Sequence, residues 1–291
     1  MDGRPLMSRL RREVARLCQE SNYTVREDVQ CALQDMMARE SGRSRRMLGL
    51  LLQNIEIARR ERIAVCQDTG LCEVVLRVGP GLPVDGAMLR EAVEAGVRDG
   101  YRDGYLRRSV VADPIFDRIN TGDNTPALIF FEWDGPPRSL EVTVFPKGFG
   151  SENMGVTAML SPAEGRAGVV HTVVDAVDRA GPNACPPVGV GVGGGGTLEV
   201  AAGLARKALL RPLISENEDI RYAELEGELL QRINDLDIGV QGLGGRVTCL
   251  GVHVEHCPTH IAGLPVAVNI SCYALRQASA VIEVANDSEG A

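Results

Sequence analysis

Apolar residues recur every three or four positions through the first sixty residues, and Leu6, Leu10, Val14 and Leu17 predict a first helix. Thr24-Val25-Arg26-Glu27 reads as a capping box that opens a second helix carrying Val29, Leu33 and Met36. A third helix carries Met47, Leu48, Leu51, Leu52 and Ile55. From Ile63 the period shortens. Runs rich in β-branched residues and bounded by glycine predict strands at 72–78, 127–133, 140–145, 188–192, 246–255 and 264–270. Helical spacing returns between them, at 86–101, 162–179, 197–211 and 222–235. The expected fold class is mixed α/β (α+β). A helical N-terminal layer, residues 1–62, packs on a sheet-containing region, residues 63–291, within one domain. A polar tail, DSEGA, closes the sequence.

Acids outnumber bases 39 to 31 in the 291 residues, giving a formal net charge of -8. This argues against a surface that grips nucleic acid broadly. No stretch approaches the roughly 18 apolar residues needed to cross a bilayer, so no membrane anchoring is expected. The N-terminal MDGRPLMSRLRREVARL is Arg-rich like a transit peptide, but Asp2 and Glu13 interrupt it. It reads as the first helix of a cytoplasmic protein. Only Lys147 and Lys207 are lysines, and each stands near a glycine loop.

The eight cysteines, at 18, 31, 66, 72, 185, 249, 257 and 272, are too sparse for a disulfide scaffold, and no two form C-x-x-C. The zinc ribbon, the thioredoxin site and the bacterial ferredoxin run are thereby excluded, because each needs two thiolates on one tight turn. Any metal site built from these thiols has to be assembled by the fold.

Polar, glycine-punctuated loops carry the candidate chemistry. Cys66-Gln67-Asp68-Thr69-Gly70 sets a thiol, an amide, a carboxylate and a hydroxyl on successive residues, and reads either as a binding loop or as an Asx-turn with a bystander cysteine. Arg107-Arg108 and Asn120-Thr121-Gly122-Asp123-Asn124 combine guanidinium forks with amides, a pairing suited to a dicarboxylate or phosphate but also to solvated surface. Lys147-Gly148-Phe149-Gly150-Ser151-Glu152-Asn153 lets backbone amides approach a ligand. Asn183-Ala184-Cys185-Pro186-Pro187 fixes a thiol on a rigid bend and leads to Gly193-Gly194-Gly195-Gly196-Thr197. Gly191, Gly193 and Gly196 satisfy G-x-G-x-x-G, which supports a rival reading as a nucleotide-binding oxidoreductase. His253, His256, Cys257 and His260 invite a zinc reading. Alternation over 246–255 instead predicts a strand with His253 and His256 on opposite faces.

In this order, CQDTG, LRRSVV with NTGDNTP, KGFGSEN, NACPP with GGGGTLE, QGLGG and PTHIAGLPVAVNISC resemble the alpha subunits of the iron–sulfur class I fumarate hydratases and L(+)-tartrate dehydratases. The resemblance runs from about residue 20 to residue 280 and covers the N-terminal half of single-chain members. It implies the N-terminal fold of class I fumarases and a [4Fe–4S] cluster on Cys66, Cys185 and Cys272. It also implies substrate contacts at Gln67, Asp68, Arg107 and Gly150, with Asp68 and His260 handling protons beside the cluster. The other five cysteines match no ligand position and are expected to be small core residues. The implied activity is reversible hydration of a four-carbon dicarboxylate, fumarate to (S)-malate, with L(+)-tartrate dehydration as the alternative. A separate beta subunit carrying the missing C-terminal domain is implied, in an alpha2beta2 assembly. Two departures from the family pattern touch the pocket: Tyr273, where histidine is common, and Gly194, where an apolar residue is common.

Overall fold

The structure is a computed structural model that describes residues 4–82 and 84–284; the DSEGA tail lies outside the described residues. Its helices are α1 (Arg4–Tyr23), α2 (Glu27–Arg39), α3 (Gly42–Glu61), α4 (Gly86–Asp103), α5 (Phe149–Glu152), α6 (Gly165–Ala180), α7 (Leu198–Leu209) and α8 (Ile220–Asn234). Its strands are β1 (Leu71–Val78), β2 (Leu128–Glu132), β3 (Ser139–Lys147), β4 (Val156–Leu160), β5 (Val188–Gly196), β6 (Cys249–Thr259), β7 (Leu264–Ser271) and β8 (Ala278–Glu283). The fold is mixed α/β. All six strands and all seven helices expected from periodicity are present.

The chain forms two compact units. The first comprises the described residues up to Thr24, Ile57–Lys147 and those from Arg276 onward; the second comprises Val25–Glu56 and Gly148–Leu275. The three N-terminal helices are thus divided between units. The predicted capping box is also not formed. The Thr24 hydroxyl donates to the Glu20 carbonyl at 2.8 Å, so it is spent on the last turn of α1. Arg26 flanks α2 without a side-chain cap and pairs instead with Asp28 at 2.8 Å.

In the first unit the strands run in the order β2-β1-β3-β8, with β1 parallel to β2 and the other pairings antiparallel. Leu10, Val14 and Leu17 of α1, with Leu89, Val93 and Val97 of α4, bury Val74, Leu76, Val142 and Val144. At about 1.5–3 kcal/mol for each fully buried side chain, this layer is the main cohesion of the unit.

In the second unit the order is β4-β7-β5-β6, with β5 parallel to β6 and antiparallel to β7. The V-G-V-G-V-G run of β5 divides its two faces. Val188, Val190 and Val192 join the core with Val173 and Val177 of α6 and Leu229 and Ile233 of α8. Gly191 and Gly193 turn the other way, where an added Cβ would lie 2.1 Å from the Ala205 carbonyl and 1.9 Å from the Ala201 carbonyl of α7. These glycines exist so that a helix can lie directly on the strand. Two members of the G-x-G-x-x-G match are therefore consumed by packing, and the mixed sheet around them is not the parallel sheet of a dinucleotide fold. The oxidoreductase reading loses its structural basis.

Candidate active site

The candidate residues divide between the units. Cys66, Gln67, Asp68 and Arg107 belong to the first; Gly150, Cys185, His260 and Cys272 belong to the second.

In the first unit the Cys66–Gly70 loop is held from several sides. The Gly70 amide donates to Asp68 Oδ1 at 3.0 Å, so the Asx-turn expected as the plain alternative is present. It does not explain the rest of the loop. Thr69 is buried and its hydroxyl donates to the Arg107 carbonyl at 3.0 Å, tying the thiol loop to the arginine loop. The Tyr101 hydroxyl donates toward the Thr69 and Gly70 carbonyls, at 2.9 and 3.1 Å. Burial pushes that phenol well up, so it stays protonated as a donor. Gly70 has φ +80°, and a Cβ there would meet the Lys147 backbone at 2.9 Å. Lys147, one of the two lysines, is itself only 2% exposed at the end of β3.

Asn124 is fully buried and joins three segments. Its amide donates to the Gly70 carbonyl at 3.3 Å, and its carbonyl oxygen accepts from the Ser109 amide at 2.7 Å. Asn120 donates to the Arg108 carbonyl at 2.9 Å, and Arg108 donates to the Gly122 carbonyl at 2.9 Å. The arginine and amide motifs are thus two stems of one braced loop. Burial would raise the Asp123 carboxyl, but hydrogen bonds from Thr125 and Arg98 outweigh it and hold it at about 2. Against this scaffold Cys66 and Asp68 are half-buried, while Gln67 and Arg107 are exposed. The backbone is fixed and the reactive side chains face outward.

In the second unit the antiparallel pairing of β5 and β7 sets Gly189 opposite Ser271, one residue before Cys272. The Tyr273 amide then donates to the Cys185 carbonyl at 3.3 Å, so the two thiol-bearing bends are joined by a backbone hydrogen bond. Cys185 is exposed, with φ 55°, a left-handed conformation that a non-glycine residue adopts only when its surroundings hold it. The Gln241 amide and side chain both donate to the Pro186 carbonyl at 2.8 Å, which brings the QGLGG segment to the same bend. A Cβ on Gly150 would lie 3.4 Å from the Asn183 carbonyl, so KGFGSEN borders it too. Asn124 and Gln241, which the sequence shows only as letters within motifs, prove to be the residues that fix these loops.

His260 is elsewhere. It follows Thr259, which pairs with Gly196 at the far end of β5, whereas Cys185 precedes the near end and Cys272 follows β7 back to it. The nine residues of β5 separate the two ends by about 26 Å at the usual strand rise. Within its sheet His260 thus stands at the opposite end of β5 from Cys185 and Cys272. The β6–β7 turn crosses the far end of β5, and eight residues of β7 carry the chain back before Cys272. The same register sends Cys257 to the His260 end. His253 is buried and His256 is exposed, as strand alternation requires, and the helical face needed to gather the histidines on zinc is not formed.

The thiols sort themselves by environment. None of the eight cysteines forms a disulfide. Cys18, Cys72 and Cys249 are fully buried. The hydrogen bond with Cys18, together with burial, pushes the Cys72 thiol well up, and burial pushes Cys249 to about 12. Thiols held protonated in this way are poor ligands, since metals take the thiolate. Cys31 is exposed on α2 and Cys257 is half-buried on β6, so only three of the five remaining cysteines are the core residues expected. Cys66 in the first unit, and Cys185 and Cys272 in the second, are the thiols that combine a braced bend with an accessible sulfur, the kind of donor that iron–sulfur clusters take.

The sequence profile described as Fumarate hydratase (Fumerase) matches residues 11–281. The chain belongs to this family. It is 39% identical over 270 residues to the "Putative L(+)-tartrate dehydratase subunit alpha" of Methanocaldococcus jannaschii, covering 91% of this chain and 94% of that protein. It is 38% identical over 220 residues to the L(+)-tartrate dehydratase subunit alpha of Escherichia coli K12, covering 75% of this chain and 72% of that one. Hydratase and dehydratase name two directions of one chemistry, and the fumarate hydratase family member described here is a hydro-lyase. Among the described residues no helix is long and apolar enough to cross a membrane.

Proposed function

We propose that this chain is the cluster-bearing alpha subunit of a two-subunit cytoplasmic hydro-lyase acting on a four-carbon dicarboxylate, with fumarate and (S)-malate as its principal pair. The observation that carries the reading is the backbone bond between Tyr273 and Cys185, which joins two accessible cysteines separated by 87 residues (272 minus 185) on braced bends. Cys66, on the third braced bend, completes the donor set. When bound there, a [4Fe–4S] cluster supplies a Lewis-acidic iron with one open position for the substrate's hydroxyl or carboxylate.

The chain's own residues position the substrate. The planar fork of Arg107 clamps one carboxylate, with its backbone held by the buried Thr69 hydroxyl. Gln67 and the Gly150 backbone offer further polar contacts. Dehydration takes a hydroxyl from one carbon and a proton from its neighbour. Asp68, already oriented by the Gly70 amide on Oδ1, is the carboxylate that holds or moves that proton. His260 stands as the second candidate for handling that proton, carried at the far end of its sheet from Cys185 and Cys272.

L(+)-tartrate is the second reading, and one observation favours it: both relatives above bear tartrate dehydratase names. Tartrate differs from malate by one hydroxyl, and a site built to hydrogen-bond that group rejects the analogue lacking it. Anaerobic co-expression with a beta-type chain from the same genome, followed by parallel assay of fumarate, (S)-malate and L(+)-tartrate, tests the proposal. Hydration of fumarate is expected to have the highest kcat/KM; turnover of L(+)-tartrate alone would move the chain to the second reading, and turnover of none would overturn both.

A further inference from the structure

The loop between the two braced stems of the arginine and amide motifs carries a feature that the chemistry above does not use. Ile115, Phe116 and Ile119 are 74%, 82% and 66% exposed. Three large apolar side chains within five residues, all facing water, form a patch rather than the scattered exposure that any surface shows. A disordered loop would carry this at little consequence, but this loop is built. Val111 and Asn120 form an antiparallel bridge, and the Ala112 amide donates to the Ile119 carbonyl at 2.8 Å. Asp113 Oδ1 accepts from the Ile115 and Phe116 amides at 2.8 and 2.5 Å, and these bonds hold its carboxyl below the usual range. Arg118 reaches back to the Pro114 carbonyl at 2.6 Å. The segment thus presents a preformed apolar knob, the arrangement that loses least entropy on docking.

We propose that Ile115, Phe116 and Ile119 form the anchor by which this subunit binds its beta subunit. Two observations select that occupant. The relatives above are named as alpha subunits, so a chain of another kind accompanies them. The knob also lies on the same loop as Arg107, eight residues from Ile115 (115 minus 107), with Asn120–Asn124 on its returning stem. A partner seated on the knob engages the tip of the loop whose paired stems carry the carboxylate clamp. Docking at this point joins assembly to catalysis. The inference rests on the two-subunit reading above.

The test measures affinity between the full-length alpha chain and the beta-type chain from the same genome by surface plasmon resonance, for wild type, Phe116→Glu/Ile119→Glu, and the milder Ile115→Ala/Phe116→Ala. Circular dichroism and melting temperature of each alpha chain alone verify folding. Both variants are expected to keep wild-type spectra, with affinity reduced at least about 30-fold for the charged pair, as loss of an interface anchor requires. Beta binding equal to wild type in the folded variants would overturn the anchor while leaving the two-subunit reading intact. Absence of binding by the wild type would overturn that reading itself, and the anchor with it. Self-association of wild-type alpha chain that the charged pair abolishes, with beta binding unchanged, would assign the knob to a second copy of this chain and equally overturn the proposal.

Discussion

Asp123 illustrates how single side chains fix the binding loops. Its carboxyl lies near 2, against an ordinary value of 3.8, because Thr125 and Arg98 favour the charged form more than burial opposes it. A depressed carboxyl contributes stability that is fully present above its unfolded value and is lost as pH falls through its folded one. Asp123→Asn is therefore expected to melt below wild type at pH 7, and the gap should close as pH falls from about 3.8 toward 2; a gap unchanged down to pH 2 would show that the charge is not the cause. Arg107 tests the clamp. Arg107→Lys keeps the charge and loses the fork, and with the beta chain present it should lower kcat/KM by about 10- to 100-fold, the worth of a charged hydrogen bond. At this scale the sequence was informative about reactive groups and silent about their supports. The letters C-Q-D-T-G announce polar chemistry, but nothing in them reveals that Thr69 binds the Arg107 carbonyl or that Asn124 spans three segments, because those partners are 38 and 54 residues away.

Among the elements, periodicity located every strand with a buried apolar run and missed β4 and β8. Both are edge strands, β4 at one margin of its sheet and β8 at one margin of the other. Apart from the buried Ile282 their residues alternate between partial burial and exposure and include Thr157, Ala158, Ala278, Ser279 and Ala280, so the apolar signal is weak. The capping box failed for a related reason: a threonine can serve the helix behind it as well as the one ahead, and contact with Glu20 decided the matter. The glycine run gives the sharpest test at this scale. Gly191→Ala or Gly193→Ala would drive a methyl into a helix carbonyl and should destabilise by at least about 1–3 kcal/mol, measured by urea unfolding. Gly194→Ala, with nothing within 4 Å of its added Cβ, should be close to neutral. Equal effects at the three positions would contradict the assignment of Gly191 and Gly193 to helix packing.

For the whole molecule, the division into units is the feature least visible in the sequence, since each unit is assembled from separated segments of the chain. The same non-locality gives the cysteines their meaning. Spacing alone could say only that they form no local metal motif; pairing of β5 with β7 brings two of them together and sends Cys257 and His260 to the other end. His260→Asn should accordingly leave iron content unchanged in the isolated chain. The central claim is the choice of three thiols from eight, and iron and acid-labile sulfide per chain after anaerobic reconstitution test it most directly. Wild type, Cys31→Ser and Cys257→Ser are expected to hold about four irons with the brown absorbance of a cluster, and Cys66→Ser, Cys185→Ser and Cys272→Ser to lose both. Full iron and sulfide in all three of the latter, with their fold intact, would contradict the account.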